Sequence, residues 1–211
     1  MIDVQPVRYK KNPVLLDRAI DDMRQELLTR LPWLNYAFGR VYKLMRYTHD
    51  GKYTEPCYYV GNGEYVSMLP NDNWGNFCWF EIYDPQSIDT TQRNNPRLTF
   101  KGAVIFWYNQ HKVFDDKGNG YDDEFLCTEE IKKQVVDALS ASGLLKQNGH
   151  VQIFDIYERL ENLYKGYSLE KVYNTYLYSG EELEYIDKQY FMHPYGGLRI
   201  ELELTLNSSD C

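Results

Sequence analysis

Leu198-Arg199-Ile200-Glu201-Leu202-Glu203-Leu204-Thr205-Leu206 alternates apolar and polar side chains without a break. A period of two is that of a β-strand with one face on a core and the other turned away from it. Leu198, Ile200, Leu202, Leu204 and Leu206 form the core face. Arg199, Glu201, Glu203 and Thr205 take the opposite face, where a solvated or interface surface accounts for the paired acids without chemistry. A strand of this kind needs neighbouring strands for its backbone and a second layer for its leucines.

The neighbours are legible upstream. Gly102-Ala103-Val104-Ile105-Phe106-Trp107-Tyr108 is too short for a membrane and too rich in β-branched and aromatic residues for a helix, so it reads as a central strand buried on both faces. Residues 40–46 alternate before an Asp50-Gly51 turn. A second hairpin joins Cys57-Tyr58-Tyr59-Val60 to Glu64-Tyr65-Val66-Ser67 across Gly61-Asn62-Gly63, and a further strand is expected at residues 78–83. Pro70, Asn71, Asp72 and Asn73 form the intervening loop.

The second layer is helical. Asn12 is a candidate cap and Pro13 a candidate first helical residue. Leu16, Ala19, Ile20, Met23, Leu27 and Leu31 then recur at three- and four-residue spacing until Pro32 ends the run. Thr128 caps a middle helix whose first turn holds Glu129 and Glu130, with Ile131, Val135, Ala138 and Leu139 as its apolar stripe. Residues 151–164 read as a short strand running into a helix, and Ser168 caps a further helical or irregular piece ending near Gly180. The expected fold is α+β: a mixed, mainly antiparallel sheet with the N-terminal and middle helices packed on it. Residues 1–211 are expected to form one domain, since a chain of 211 residues can bury roughly 70% of its unfolded surface in a single core. Loops are expected near 86–97 and 115–124, and no internal repeat is visible.

Composition narrows the function. The net charge is −8 and the basic pairs Lys10-Lys11 and Lys132-Lys133 are isolated, which argues against a phosphate-gripping nucleic-acid binder. An acidic wall past which DNA slides is compatible with that charge. Aromatic residues make up 16% of the chain, including 20 tyrosines. Such side chains suit surfaces that are wet in one state and covered in another, and equally a β-rich core with tyrosine on half-exposed strand faces. Cys57, Cys78, Cys127 and Cys211 form no CxxC pair and the first residues carry no apolar leader, so free thiols in a reducing cytoplasm are expected. No stretch reaches membrane-spanning length.

Catalytic motifs are not found. His49, His111, His150 and His193 are scattered singly, no GxSxG elbow or phosphate-binding glycine loop occurs, and no cofactor or metal ligand set is assigned. The run Asp115-Asp116-Lys117-Gly118-Asn119-Gly120 begins like a calcium loop, but Lys117 and Leu126 stand where oxygen ligands belong. Asp115, Asp116, Asp122, Asp123 and Glu124 are therefore assigned to protein contact, flanking glycines that leave the backbone free to adapt. The chain is expected not to be an enzyme.

Several segments in order resemble a known class. Residues 26–32 leading into Phe38-Gly39-Arg40-Val41-Tyr42-Lys43, then residues 56–72, 80–85 and 103–109, and finally His193-Pro194-Tyr195-Gly196-Gly197-Leu198-Arg199-Ile200, together resemble structural proteins of tailed phages infecting gut Bacteroidetes, including the crAss-like phages. More loosely they resemble the tail-terminator and head-tail connector class. Residues 172–188 depart from the shorter forms of that class and read as an insertion. The resemblance implies a virion protein assembled in the host bacterial cytoplasm: a subunit of a homo-oligomeric ring, with a dodecamer as the candidate copy number, in the neck or tail. Its implied partners are the portal protein and other neck or tail proteins, with DNA only passing through the channel and no membrane. It carries over no catalytic residues. The alternative reading is a non-catalytic, protein-binding accessory module of a mobile element.

Overall fold

A computed structural model describes residues 9–48, 51–70, 74–84, 86–91, 96–114, 128–141, 149–158, 160–167 and 194–207. The strands are β1 (Tyr36–Thr48), β2 (Gly51–Gly61), β3 (Glu64–Ser67), β4 (Phe77–Ile82), β5 (Ser87–Asp89), β6 (Arg97–Asn109), β7 (Gly149–Tyr157) and β8 (Tyr195–Asn207). They form one sheet in the order β3-β2-β1-β4-β6-β8-β7, with β5 on the β4 side of β6. Every pairing is antiparallel except β1 with β4. The helices are α1 (Leu16–Arg30), α2 (Gln110–Val113), α3 (Thr128–Ser140) and α4 (Leu160–Leu163). The class is α+β, as the alternations and stripes of the sequence require.

The quoted strand lies within β8, which pairs with β6 from Arg97↔Asn207 to Asn109↔Tyr195. This long ladder is the spine of the molecule. Above it, Leu198, Ile200, Leu202 and Leu204 meet Phe100, Val104, Phe106 and Tyr108 of β6. Ala19, Ile20, Met23 and Leu27 of α1 and Ile131, Val135 and Leu139 of α3 close over them. Trp33 Nε1 donates to Gln134 Oε1 at 2.9 Å, fixing the end of α1 to α3. Beneath the sheet a second cluster gathers Phe38, Phe77, Trp79, Ile105 and Trp107, covered by Met68, Trp74, Leu163 and Tyr164.

The parallel β1–β4 pair follows from the path of the chain. After β3, Met68 and Trp74 are buried beneath the sheet, and the next strand, β4, begins beside β1 at Phe77. Asn76 secures the junction. Its backbone N–H donates to Asn35 Oδ1 (2.8 Å), its Nδ2 to the Trp33 carbonyl (2.9 Å), and its Oδ1 accepts from Asn109 N–H (2.8 Å). A buried amide with these partners is satisfied and sets register across three segments.

Three local expectations change. Helix α1 starts at Leu16 rather than at Asn12-Pro13, because the N-terminal segment folds back along the helix: Tyr9 lies against Arg24, and Lys10 Nζ reaches Asp17 Oδ2 at 2.8 Å. That reversal needs a sharp turn, supplied by Leu15 at φ 50°. The loop expected near 86–97 contains β5, whose Ser87, Ile88 and Asp89 pair with Thr99, Leu98 and Arg97 where β6 already begins. Tyr83 N–H to the Lys101 carbonyl (2.8 Å) carries the β4 ladder towards it. The polar composition of residues 87–89 hid a strand stabilised by backbone pairing rather than burial. Glu201 is only partly solvated, its side chain being 15% exposed and ion-paired with Arg199. The loop at 115–124, the expected insertion at 172–188 and the helical piece from Ser168 to Gly180 lie outside the described residues, as do Asp115, Asp116, Asp122, Asp123 and Glu124.

Candidate functional site

Two surfaces and one buried polar cluster carry the chemistry of the described residues. The cluster begins with a row across three strands. Glu81 of β4 faces Ala103 of β6, which faces Glu201 of β8. One row over, Arg199 of β8 faces Ile105. Ala103 is small enough for the Arg199 guanidinium to cross beneath β6 and join both acids.

Its Nη2 donates to Glu81 Oε2 (2.8 Å), its Nε to Glu201 Oε1 (2.8 Å) and its Nη1 to the Leu163 carbonyl (2.9 Å). It also donates to the Tyr83 hydroxyl, which in turn donates to Glu201 at 2.8 Å. Arg199 is 1% exposed. Burial alone would lower its pKa, but Glu81 and Glu201 reverse that and hold the guanidinium firmly protonated. Burial pushes the Tyr83 hydroxyl up, and the Glu201 carboxylate adds to the effect. The cluster ties α4 to the sheet. Beside it lies an open depression of about 610 Å³, whose rim includes Lys101, Asp155, Tyr157 and Lys165.

The first surface is a tyrosine-lined cleft of about 480 Å³ where the N-terminal segment and α1 meet the base of the β1–β2 hairpin. Tyr9, Tyr42, Tyr58 and Tyr59 line it with Arg24, which sits 3.6 Å from the centroid of the Tyr9 ring and donates from Nε to Asp21 Oδ1 at 3.0 Å. Gly39 admits the Tyr58 ring, since a Cβ there would stand 3.3 Å from it. Burial pushes the Tyr58 hydroxyl up to about 12.

The second surface is the far half of the β1–β2 hairpin. Strand β1 pairs with β4 only as far as Arg40↔Phe80, and β3 ladders β2 only from Cys57 onward. Leu44↔Glu55, Met45↔Thr54, Arg46↔Tyr53, Tyr47↔Lys52 and Thr48↔Gly51 therefore form a two-stranded arm, and the sheet order places no third strand beside them among the described residues. Its root is pinned. Arg46 Nε donates to Glu55 Oε1 (2.6 Å), and Ser67 Oγ to Glu55 Oε2 (2.7 Å). Beyond the root, Met45 is 48% and Tyr47 79% exposed, with Tyr42 at 49% where the arm leaves the sheet. A two-stranded ribbon is marginal in water by itself, so apolar side chains on it mark a contact surface.

The sequence matches none of the known protein families, and no curated protein matches it. Geometry therefore carries the functional reading. Among the described residues no three His, Cys, Asp or Glu side chains converge as metal ligands, and no helix is long and apolar enough to cross a membrane. Sequence reasoning missed the Arg199 cluster, placing Glu201 on a solvated or interface face. The alternation separated Arg199 and Glu201 from the leucines correctly, but nothing local to β8 announces that Leu163 and Tyr83 cover that side. The arm was half visible. Its first strand was legible, the Asp50-Gly51 turn signal falls partly outside the described residues, and how far the ribbon runs past the sheet depends on where β4 ends.

Proposed function

We propose that the chain is a structural virion protein of a tailed phage, a subunit of an oligomeric ring in the neck or tail that links portal to tail around the DNA channel. The observation that carries the reading is the pair of apolar surfaces at opposite flanks of the sheet. One is the arm with Met45 and Tyr47; the other is the edge strand β7, where Phe154 is 50% and Ile156 37% exposed. From β1 to β7 is four strand steps, roughly 19 Å at the usual interstrand spacing. Two different sticky surfaces on opposite sides suit head-to-tail association, which closes into a ring when the rotation between subunits allows.

The acidic balance of the chain, −8 overall, suits a lining that DNA passes without sticking. The cleft tyrosines and the arm supply large contact areas at modest entropic cost. The acids Asp115, Asp116, Asp122, Asp123 and Glu124 are assigned to contacts with the portal or neighbouring tail proteins, and no residue is assigned a catalytic role. Electron-microscopic reconstruction of the particle neck tests the reading: density for this chain should repeat around the channel axis. A single off-axis copy would refute it.

A further inference from the structure

Among the described residues, the tyrosine-lined cleft sets three bases, Lys10, Arg24 and Arg40, against two acids, Asp17 and Asp21. Two of the bases are matched within the chain. Lys10 Nζ reaches Asp17 Oδ2 at 2.8 Å, and Arg24 Nε donates to Asp21 Oδ1 at 3.0 Å. Arg40 is the exception. It is partly buried on the cleft wall, pairs with no carboxylate among the described residues, and has its Nε buried without a hydrogen-bond partner. Its guanidinium carbon lies 5.7 Å from the centroid of the Tyr42 ring. A chain of net charge −8 therefore keeps one uncompensated positive charge in this cleft. A guanidinium partly withdrawn from water and left without an acceptor is under-satisfied, and its planar fork matches a carboxylate or a phosphate.

The walls indicate what carries the anion. At about 480 Å³ the cleft is far larger than an inorganic ion and falls within the range of small-molecule sites. Tyr42 and Tyr59 are 49% and 42% exposed, which leaves ring surface for a flat apolar body. The Tyr59 side of the wall is held in place, since its hydroxyl accepts from Gly63 N–H at 3.2 Å and its ring centroid lies 5.0 Å from that of Tyr65. We infer that the cleft binds a small aromatic oxyanion, a carboxylate or phosphate carried on a flat ring, with the anion on Arg40 and the ring against Tyr42 and Tyr59. Binding there requires neither an assembled ring of subunits nor a particle, so it stands or falls apart from the virion reading.

NMR titration of the full chain with phenyl phosphate, phenylacetate, inorganic phosphate and benzyl alcohol tests this. At least one of the two aryl anions should bind with a dissociation constant of about 1 mM or below, and the tighter of them identifies the anionic group. Inorganic phosphate lacks the ring and benzyl alcohol lacks the charge, so each should bind about ten-fold more weakly or worse. Arg40→Gln should weaken the aryl anion about ten-fold or more. Its melting temperature should stay at the wild-type value, because Arg40 has no ion pair to lose among the described residues. Tyr42→Glu, at an exposed position, should weaken binding as strongly by setting a carboxylate beside Arg40, and it decides the matter if Arg40→Gln proves unstable. Failure of both aryl anions to bind at that concentration would overturn the site. So would wild-type affinity in the folded Arg40→Gln or Tyr42→Glu protein. Inorganic phosphate binding as tightly as phenyl phosphate would also overturn it, since the aromatic walls would then hold nothing.

Discussion

At the scale of single residues, Arg199 bears most on stability. It is the cation paired with two largely buried carboxylates among the described residues, so removing it leaves Glu81 and Glu201 facing each other across Ala103. Arg199→Ala should lower unfolding stability by about 3–5 kcal/mol, read from the urea midpoint. Replacing Arg199, Glu81 and Glu201 together by Met, Leu and Gln should recover most of it, because the single variant's cost is chiefly the uncompensated charge. A loss below about 1 kcal/mol for Arg199→Ala would mean that water reaches the cluster. Burial also sets the alkaline limit. It pushes the Cys57 thiol from 9.0 up to about 12, helped by Glu55, and the Tyr58 hydroxyl from 10.0 up to about 12. Both folded-state values are raised, so the fold favours the neutral forms. The associated stability is complete below about pH 9, where the unfolded thiol begins to ionise, and is lost as pH rises through about 12. Denaturation curves between pH 8 and pH 11 should show that decline, and Cys57→Ala should flatten its onset. An unchanged slope in that variant would contradict the assignment. Part of this was legible: Glu55 stands two residues before Cys57 on the same face of β2, whereas the burial of both, and the Arg46 and Ser67 that hold Glu55, come from the pairing of β2 with β1 and β3.

Among the elements, the ones the sequence displayed best were those whose own periodicity met a core. β8, the middle of β6, the stripe of α1 and helix α3 each bury the residues their spacing marked. The misplaced start of α1 shows the limit of local signals. Asn12-Pro13 has the residue types of a helix start, yet Tyr9 packing on Arg24 requires the chain to turn back at Val14 and Leu15. β5 escaped notice because all three of its residues are exposed. Close approach between strands gives a sharper test. A Cβ on Gly102 would lie 2.2 Å from the Glu81 carbonyl oxygen, and a Cβ on Gly197 2.4 Å from Leu163 Cδ1. Gly102→Ala must part β4 from β6 at the Ile82↔Gly102 rung, next to the one that positions Glu81, since backbone cannot move aside as a flexible side chain can. It should cost about 3 kcal/mol and weaken amide protection along residues 77–82. A neutral Gly102→Ala would show that the two strands are held farther apart.

For the whole molecule, the sheet is anchored in its middle and apolar at both flanks, which is a poor design for a solitary protein and a fitting one for a member of an assembly. Charge and composition argue against a surface that grips phosphates, but they do not indicate where the contact surfaces lie. Those surfaces are set by topology: β1 outruns β4, and β7 is the last strand of the order. The claim that matters most is that many copies of this chain belong to one particle. Quantitative mass spectrometry of purified tailed-phage particles, with the portal protein as internal standard, measures that directly. The chain should be present in a fixed multiple matching a complete ring per portal, and its absence from particles, or a trace amount well below one copy per portal, would contradict the account.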